Sequence, residues 1–113
     1  MAGYSKLNRA SGPRRALLRG LVTSFLGKGK IKTTEVRARE VQRIAEHLIT
    51  VARGGGLAAR RQVGSYLLDE GVAAEFFAKV APRYVDRPGG YTRIVALEIR
   101  RGDAAPMALL ELV

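Results

Sequence analysis

Between Ser11 and Thr34 the chain sets out a helix, a break and a strand in succession, with no acidic side chain among them. Ser11 and Gly12 suit a helix cap, and Pro13 suits the first turn, where its missing N–H leaves nothing unpaired. Leu18, Leu21, Val22 and Phe25 then recur at the spacing of one buried face, which predicts an amphipathic helix over Pro13 to Leu26. Arg14, Arg15 and Arg19 are read as lying off that face. Cations near a helix N-terminus meet the positive end of the dipole, at a cost of a few tenths to ~1 kcal/mol each. Their presence points to an anion outside the helix, and exchanging them for Gln is expected to leave the fold standing. Gly27 and Gly29 interrupt the helical period. Lys30 to Thr33 alternates and ends in two β-branched residues, so it reads as a short strand.

That cationic run belongs to a chain whose charge is concentrated at one end. The 113 residues carry a net charge of +10, yet residues 1–61 hold 14 Lys or Arg against 3 acids whereas residues 62–113 hold 6 against 7. A field of this sign attracts a polyanion, and the first half of the chain is the part that meets it. With 47% hydrophobic residues the chain can bury one modest core. The expected organisation is an extended basic arm over residues 1–10 followed by a single α+β domain over residues 11–113. There is no cysteine, which removes disulfides and thiolate metal sites and is compatible with a reducing compartment. No apolar run reaches bilayer-spanning length. The segment from Ala16 to Leu26 is interrupted by Arg19 and followed by no small-residue cleavage site, so it is read as part of the fold.

The remaining periods fill in the domain. Thr34 is placed to cap a helix over Glu35 to Arg53, with Val41, Ile44, Ala45, Leu48, Val51 and Ala52 as its apolar stripe. Its opposite side carries Arg37, Arg39, Glu40, Arg43 and Glu46, and Glu35 with Arg39 makes a favourable i,i+4 pair. Gly54, Gly55 and Gly56 end this helix as a joint; no Gly-Lys-Ser or Gly-Lys-Thr follows them, so they are no phosphate loop. A third helix is expected from Leu57 to Leu68, with Val63, Tyr66 and Leu67 inward and Arg60 and Arg61 outward. Asp69 to Gly71 reads as a turn. Ala73, Phe76, Phe77 and Val80 carry a fourth helix that Pro82 stops, and a loop runs from Arg83 to Gly90. From Tyr91 the period becomes two, giving a strand through Arg100 and, after a turn over Arg101 to Pro106, another from Met107 to Val113. A lone hairpin is marginal in water. The two strands are therefore expected to pair antiparallel beside the Lys30 to Thr33 strand, in a two-layer α+β fold with the helices packed on a three-stranded sheet.

Nothing in this pattern builds a catalyst. His47 is the single histidine, Ser11, Ser24 and Ser65 lack a nucleophile elbow, and Glu40 and Glu46 belong to no metal-ligand spacing. No enzymatic activity, cofactor, metal or small-molecule substrate is expected. Arg101-Gly102-Asp103 is read as a turn. Among polyanions, structured RNA fits best. Aromatics are only 6% of the chain and form no cluster on the strands, which disfavours a base-stacking platform. A strand between the first two helices disfavours a helix-turn-helix. Contact through phosphates and shape remains, and the cations assigned to it are Lys6, Arg9, Arg14, Arg15, Arg19, Lys28, Lys30, Lys32, Arg37, Arg39, Arg60, Arg61, Arg93 and Arg101. The competing reading is a membrane-surface protein acting through its basic amphipathic helix, which predicts binding to anionic vesicles without preference for folded RNA.

Seven motifs narrow the choice. Arg14-Arg15-Ala16-Leu17-Leu18-Arg19, Ile31-Lys32-Thr33-Thr34-Glu35, Ala59-Arg60-Arg61-Gln62, Pro82-Arg83-Tyr84, Gly89-Gly90-Tyr91-Thr92-Arg93-Ile94, Arg101 through Ala108 and Glu111-Leu112-Val113 follow one another along nearly the whole chain. In these the chain resembles the bacterial large-subunit ribosomal protein seventeen family. The resemblance implies a structural constituent of the large ribosomal subunit that supports translation in the cytoplasm and binds the large ribosomal RNA near the polypeptide exit region. Its implied neighbours are other large-subunit proteins, including protein thirty-two, with no membrane partner. Where many relatives begin with a denser basic cluster, this chain has Met1-Ala2-Gly3-Tyr4-Ser5-Lys6, so its arm is expected to grip RNA less strongly.

Overall fold

A computed structural model describes residues 11–113, and the expected arm over residues 1–10, with Lys6 and Arg9, lies outside that range. Helix α1 spans Ser11–Lys28, strand β1 Lys30–Thr34 and helix α2 Glu35–Arg53. They are followed by α3 (Leu57–Tyr66), α4 (Glu70–Glu75), a π-helical turn (Phe76–Val80) and a 3-10 turn (Ala81–Tyr84), then β2 (Thr92–Ile99) and β3 (Pro106–Leu112). The strands form one antiparallel sheet in the order β1-β3-β2, so the C-terminal strand is the central one. The result is the expected α+β fold with helices on one face of a three-stranded sheet.

Period decides which side chains meet. Leu18, Val22, Phe25 and Leu26 of α1 are buried against Ala38, Val41, Ala45, Leu48, Ile49 and Ala52 of α2. Below them, Ile31 of β1, Ala108 and Leu110 of β3, and Ile94 of β2 face the helices at every second position. Val63, Phe76, Tyr84 and Tyr91 close the same core from the other elements. Tyr84 also anchors the end of the sheet: its hydroxyl donates to the Val113 carbonyl at 2.9 Å, and its ring meets that of Tyr91 edge-on at 5.1 Å.

Several boundaries differ from the sequence expectation, each for a local reason. Helix α1 runs past Gly27 to Lys28. Gly27 stays in the helix and lets α4 come close, since an added β-carbon would sit 3.0 Å from Val72 Cγ2. The break comes at Gly29, whose φ of +84° is the left-handed conformation that suits glycine and turns the chain into β1. Helix α3 stops at Tyr66 rather than Leu68, since the Leu68 N–H is drawn out of the helix to Thr23 Oγ1 at 3.1 Å. Asp69 is a helix cap more than a turn residue, its Oδ1 accepting from the N–H groups of Gly71 and Val72 at 2.8 and 3.1 Å. Pro82 does not stop the fourth helical path. It enters the first turn of the 3-10 segment, where a missing N–H costs nothing, and the coil continues to Tyr84.

Candidate nucleic-acid interface

The cations singled out in the sequence fall into two groups according to what they touch. Arg14 is the clearest departure from expectation. It is buried, and its guanidinium donates to Glu40 Oε2 at 2.7 Å, joining α1 to α2. The assignment of Glu40 to the solvated side of α2 is thereby corrected, for Glu40 is only 3% exposed. Arg19 turns inward too. Its Nε and Nη2 each donate at 3.0 Å, to the carbonyls of Tyr66 and Ser65 at the end of α3, and its guanidinium lies over the Tyr66 ring. Those carbonyls are what a helix C-terminus leaves without internal partners, so Arg19 serves as a cap delivered from another helix. Of the three arginines expected off the apolar face of α1, only Arg15 stands free of such a role.

Other candidates are paired at the surface. Arg39 holds Glu35 at 2.7 Å, as its spacing predicted, and Arg93 holds Glu111 across the β2–β3 ladder at 2.5 Å. Arg60 lies over the Phe77 ring. Such exposed contacts contribute little to stability. Among the described residues, the side chains of Arg15, Lys28, Lys30, Lys32, Arg37, Arg61 and Arg101 make no ion pair or hydrogen bond, and all but the half-buried Arg37 are exposed.

Three of these free cations are grouped by the chain path. Lys28 ends α1, where a cation suits the negative end of the dipole. After the turn at Gly29, alternation along β1 sends Ile31 and Thr33 toward the helices and Lys30 and Lys32 to the open face of the sheet. In register, Lys30 stands opposite Glu111 and Lys32 opposite Leu109. Exposed Arg43, one turn beyond Arg39 on α2, was not among the sequence candidates, although its i,i+4 spacing marked it as a neighbour. Arg53 was overlooked as well. It donates to the Arg87 carbonyl and, at 3.1 Å, to the Tyr91 hydroxyl, so it ties α2 to the loop before β2. Arg101 sits apart in the turn before β3.

Glu46 on α2 is structural. Glu46 Oε2 accepts from Thr92 N–H at 2.9 Å and Thr92 Oγ1 at 2.7 Å, fixing the start of β2 on α2, and Gln42 adds a bond to the same hydroxyl. Among the described residues no three His, Asp or Glu side chains gather to hold a metal ion, and no helix is long and apolar enough to cross a membrane. His47 is exposed on α2. What the surface offers chemically is one group of free lysines, Lys28, Lys30 and Lys32, with further free cations spread over the fold, all suited to phosphate oxygens.

Comparison with known proteins gives a consistent result. Residues 17–113 match the family model described as ribosomal protein L17. The chain is 59% identical to the large ribosomal subunit protein bL17 of Desulforudis audaxviator over 98% of its own length and 99% of that relative's. It is 54% identical to that of Symbiobacterium thermophilum, and 55% to that of Clostridium botulinum, each over 100% of both chains.

Proposed function

This chain belongs to the ribosomal protein L17 family, a structural and non-enzymatic part of the large ribosomal subunit, and from that membership we propose that it binds large-subunit ribosomal RNA through its basic first half. The observation that carries the reading is the distribution of charge: 14 cations against 3 acids in residues 1–61, with Arg15, Lys28, Lys30, Lys32 and Arg61 there unengaged by the fold. Free cations release counterions when they meet phosphates, and that release drives binding without base readout. Arg37, Arg60 and Arg101 add contacts at the margins, Arg39 and Arg93 stay matched by Glu35 and Glu111 beside β2, and Lys6 and Arg9 extend the contacts along the arm. Arg14 and Arg19 act indirectly, by setting α1 on α2 and α3 so that Arg15 and Lys28 are presented. The family resemblance supports a cytoplasmic ribosome position near the polypeptide exit region, beside proteins such as protein thirty-two. The test is sedimentation with large subunits before and after a high-salt wash. The reading expects co-sedimentation at low salt and loss as salt rises; a chain that never sediments with the subunit contradicts it.

A further inference from the structure

The edge of the sheet away from β1 carries a second surface of different chemistry. Strand β2 lies at the edge of the order β1-β3-β2 and has no second neighbour among the described residues. Over the Val95–Ile99 stretch it exposes Val95, Leu97 and Ile99 to 40%, 36% and 65%. The opposite edge, β1, is guarded in the usual way by two lysines; β2 carries no lysine or proline, and its defences are the charges near its two ends, Arg93 and Glu98, and the irregularity between Ala96 and Ile99, which leave the apolar middle open. Behind this edge, past the clamp of Glu46 and Gln42 on Thr92, a groove of about 400 Å³ opens between β2 and α2, lined by Glu35, Arg39, Gln42, Ile94 and Ala96. An edge strand with a groove against a helix is built to accept an added strand, whose alternate side chains enter the groove and lie on the open sheet face.

Charge decides what fits. Around the groove Arg39 is matched by Glu35 and Arg93 by Glu111, so a phosphate backbone finds no free cation along β2. A second copy of the chain would bring +10 against +10. The strand itself is bipolar, with Arg93 near its start and Glu98 near its end and apolar residues between. We infer that the free edge of β2 and its groove against α2 receive an extended segment of a neighbouring protein, apolar at alternate positions, with an acid facing Arg93 and a base facing Glu98. This rests on the ribosomal reading above, since it makes β2 the protein-facing side of a chain whose α1–β1 corner faces RNA.

The test places a photoreactive benzoylphenylalanine at Ile99, in chains otherwise unchanged or carrying Val95→Lys with Leu97→Lys, and illuminates purified large subunits. Both lysines fall at exposed positions, so the free proteins should melt alike. The expected result is a crosslink to one protein segment of the stated pattern, reduced by an order of magnitude by the two lysines, which block strand addition. Crosslinks to RNA, to a second copy or to nothing overturn the inference, as does a protein crosslink indifferent to the lysines. Failure of the chain to enter large subunits would instead be failure of the ribosomal reading.

Discussion

Arg14 and Glu40 show how one contact redistributes roles among neighbouring residues. Side chains exposed by only 8% and 4% hold opposite charges 2.7 Å apart, and removing one of the charges breaks a buried ion pair. Glu40→Gln is accordingly expected to cost about 3–5 kcal/mol in denaturant unfolding, while the paired change Arg14→Met with Glu40→Leu costs much less. Arg19→Gln removes charged hydrogen bonds to two carbonyls and should cost about 1.5–3 kcal/mol, whereas Arg15→Gln leaves stability unaltered. Sequence spacing placed all three arginines off the apolar stripe, but Arg14 stands one turn before Leu18 and two before Leu21 on the same face, and it is buried there. For Arg19 the angle was sound, and the reading failed because a stripe says nothing of the carbonyls that a neighbouring helix brings over its margin. A second residue-scale prediction concerns Asp103. The hydrogen bond from Arg100, with one from the Ala105 N–H, holds its carboxyl well below the ordinary 3.8, at about 2. A depressed carboxyl pKa stabilises the fold above the unfolded value and loses that contribution as pH falls from near 4 toward 2. An NMR titration should find the midpoint near 2 and, in Arg100→Gln, a return toward the ordinary value.

At the level of elements, the sheet hangs on its last strand. Because β3 is central, both β1 and β2 pair with it and not with each other. Deleting Met107 to Val113 should leave two strands without a partner and abolish cooperative thermal unfolding; one sharp transition in the truncated chain would contradict the topology. Leu110→Ala, at a fully buried site in the same strand, should cost about 2–5 kcal/mol, and Phe76→Ala about 3–5 kcal/mol. Helices α1 and α2 and all three strands were legible in the sequence because period, caps and turn glycines agreed there. The Glu35–Arg53 helix came out with the expected ends, since Thr34 Oγ1 accepts from the Arg37 N–H and the run Gly54–Gly56 ends the period. The stretch from Asp69 to Tyr84 was less legible. Apolar spacing marked a helix there, but the path passes from α-helix to π-helical and 3-10 turns whose periods differ, and segments of five and four residues are too short for a side-chain pattern to separate them.

The whole molecule divides its charge between holding itself together and facing a partner. Sequence composition located the cationic half but not this division, because a buried arginine and a free one are the same letter. Arg14 and Arg19 secure the helix layer, Arg39 and Arg93 are matched at the surface, and Arg15, Lys28, Lys30 and Lys32 remain open around α1 and β1. On the proposed reading, phosphate contacts by this open set would relieve the self-repulsion of a chain of +10 when it meets RNA. The most direct measurement is the affinity for large-subunit ribosomal RNA fragments as a function of salt, for the unaltered chain and for the variant with Arg15, Lys28, Lys30 and Lys32 all changed to Gln. The account predicts an affinity that falls by orders of magnitude between ~50 and ~200 mM salt for the unaltered chain. It predicts a slope lower by about one unit per lost contact in the variant, with the melting curve unchanged. Equal affinity and equal slope in the two chains would contradict it.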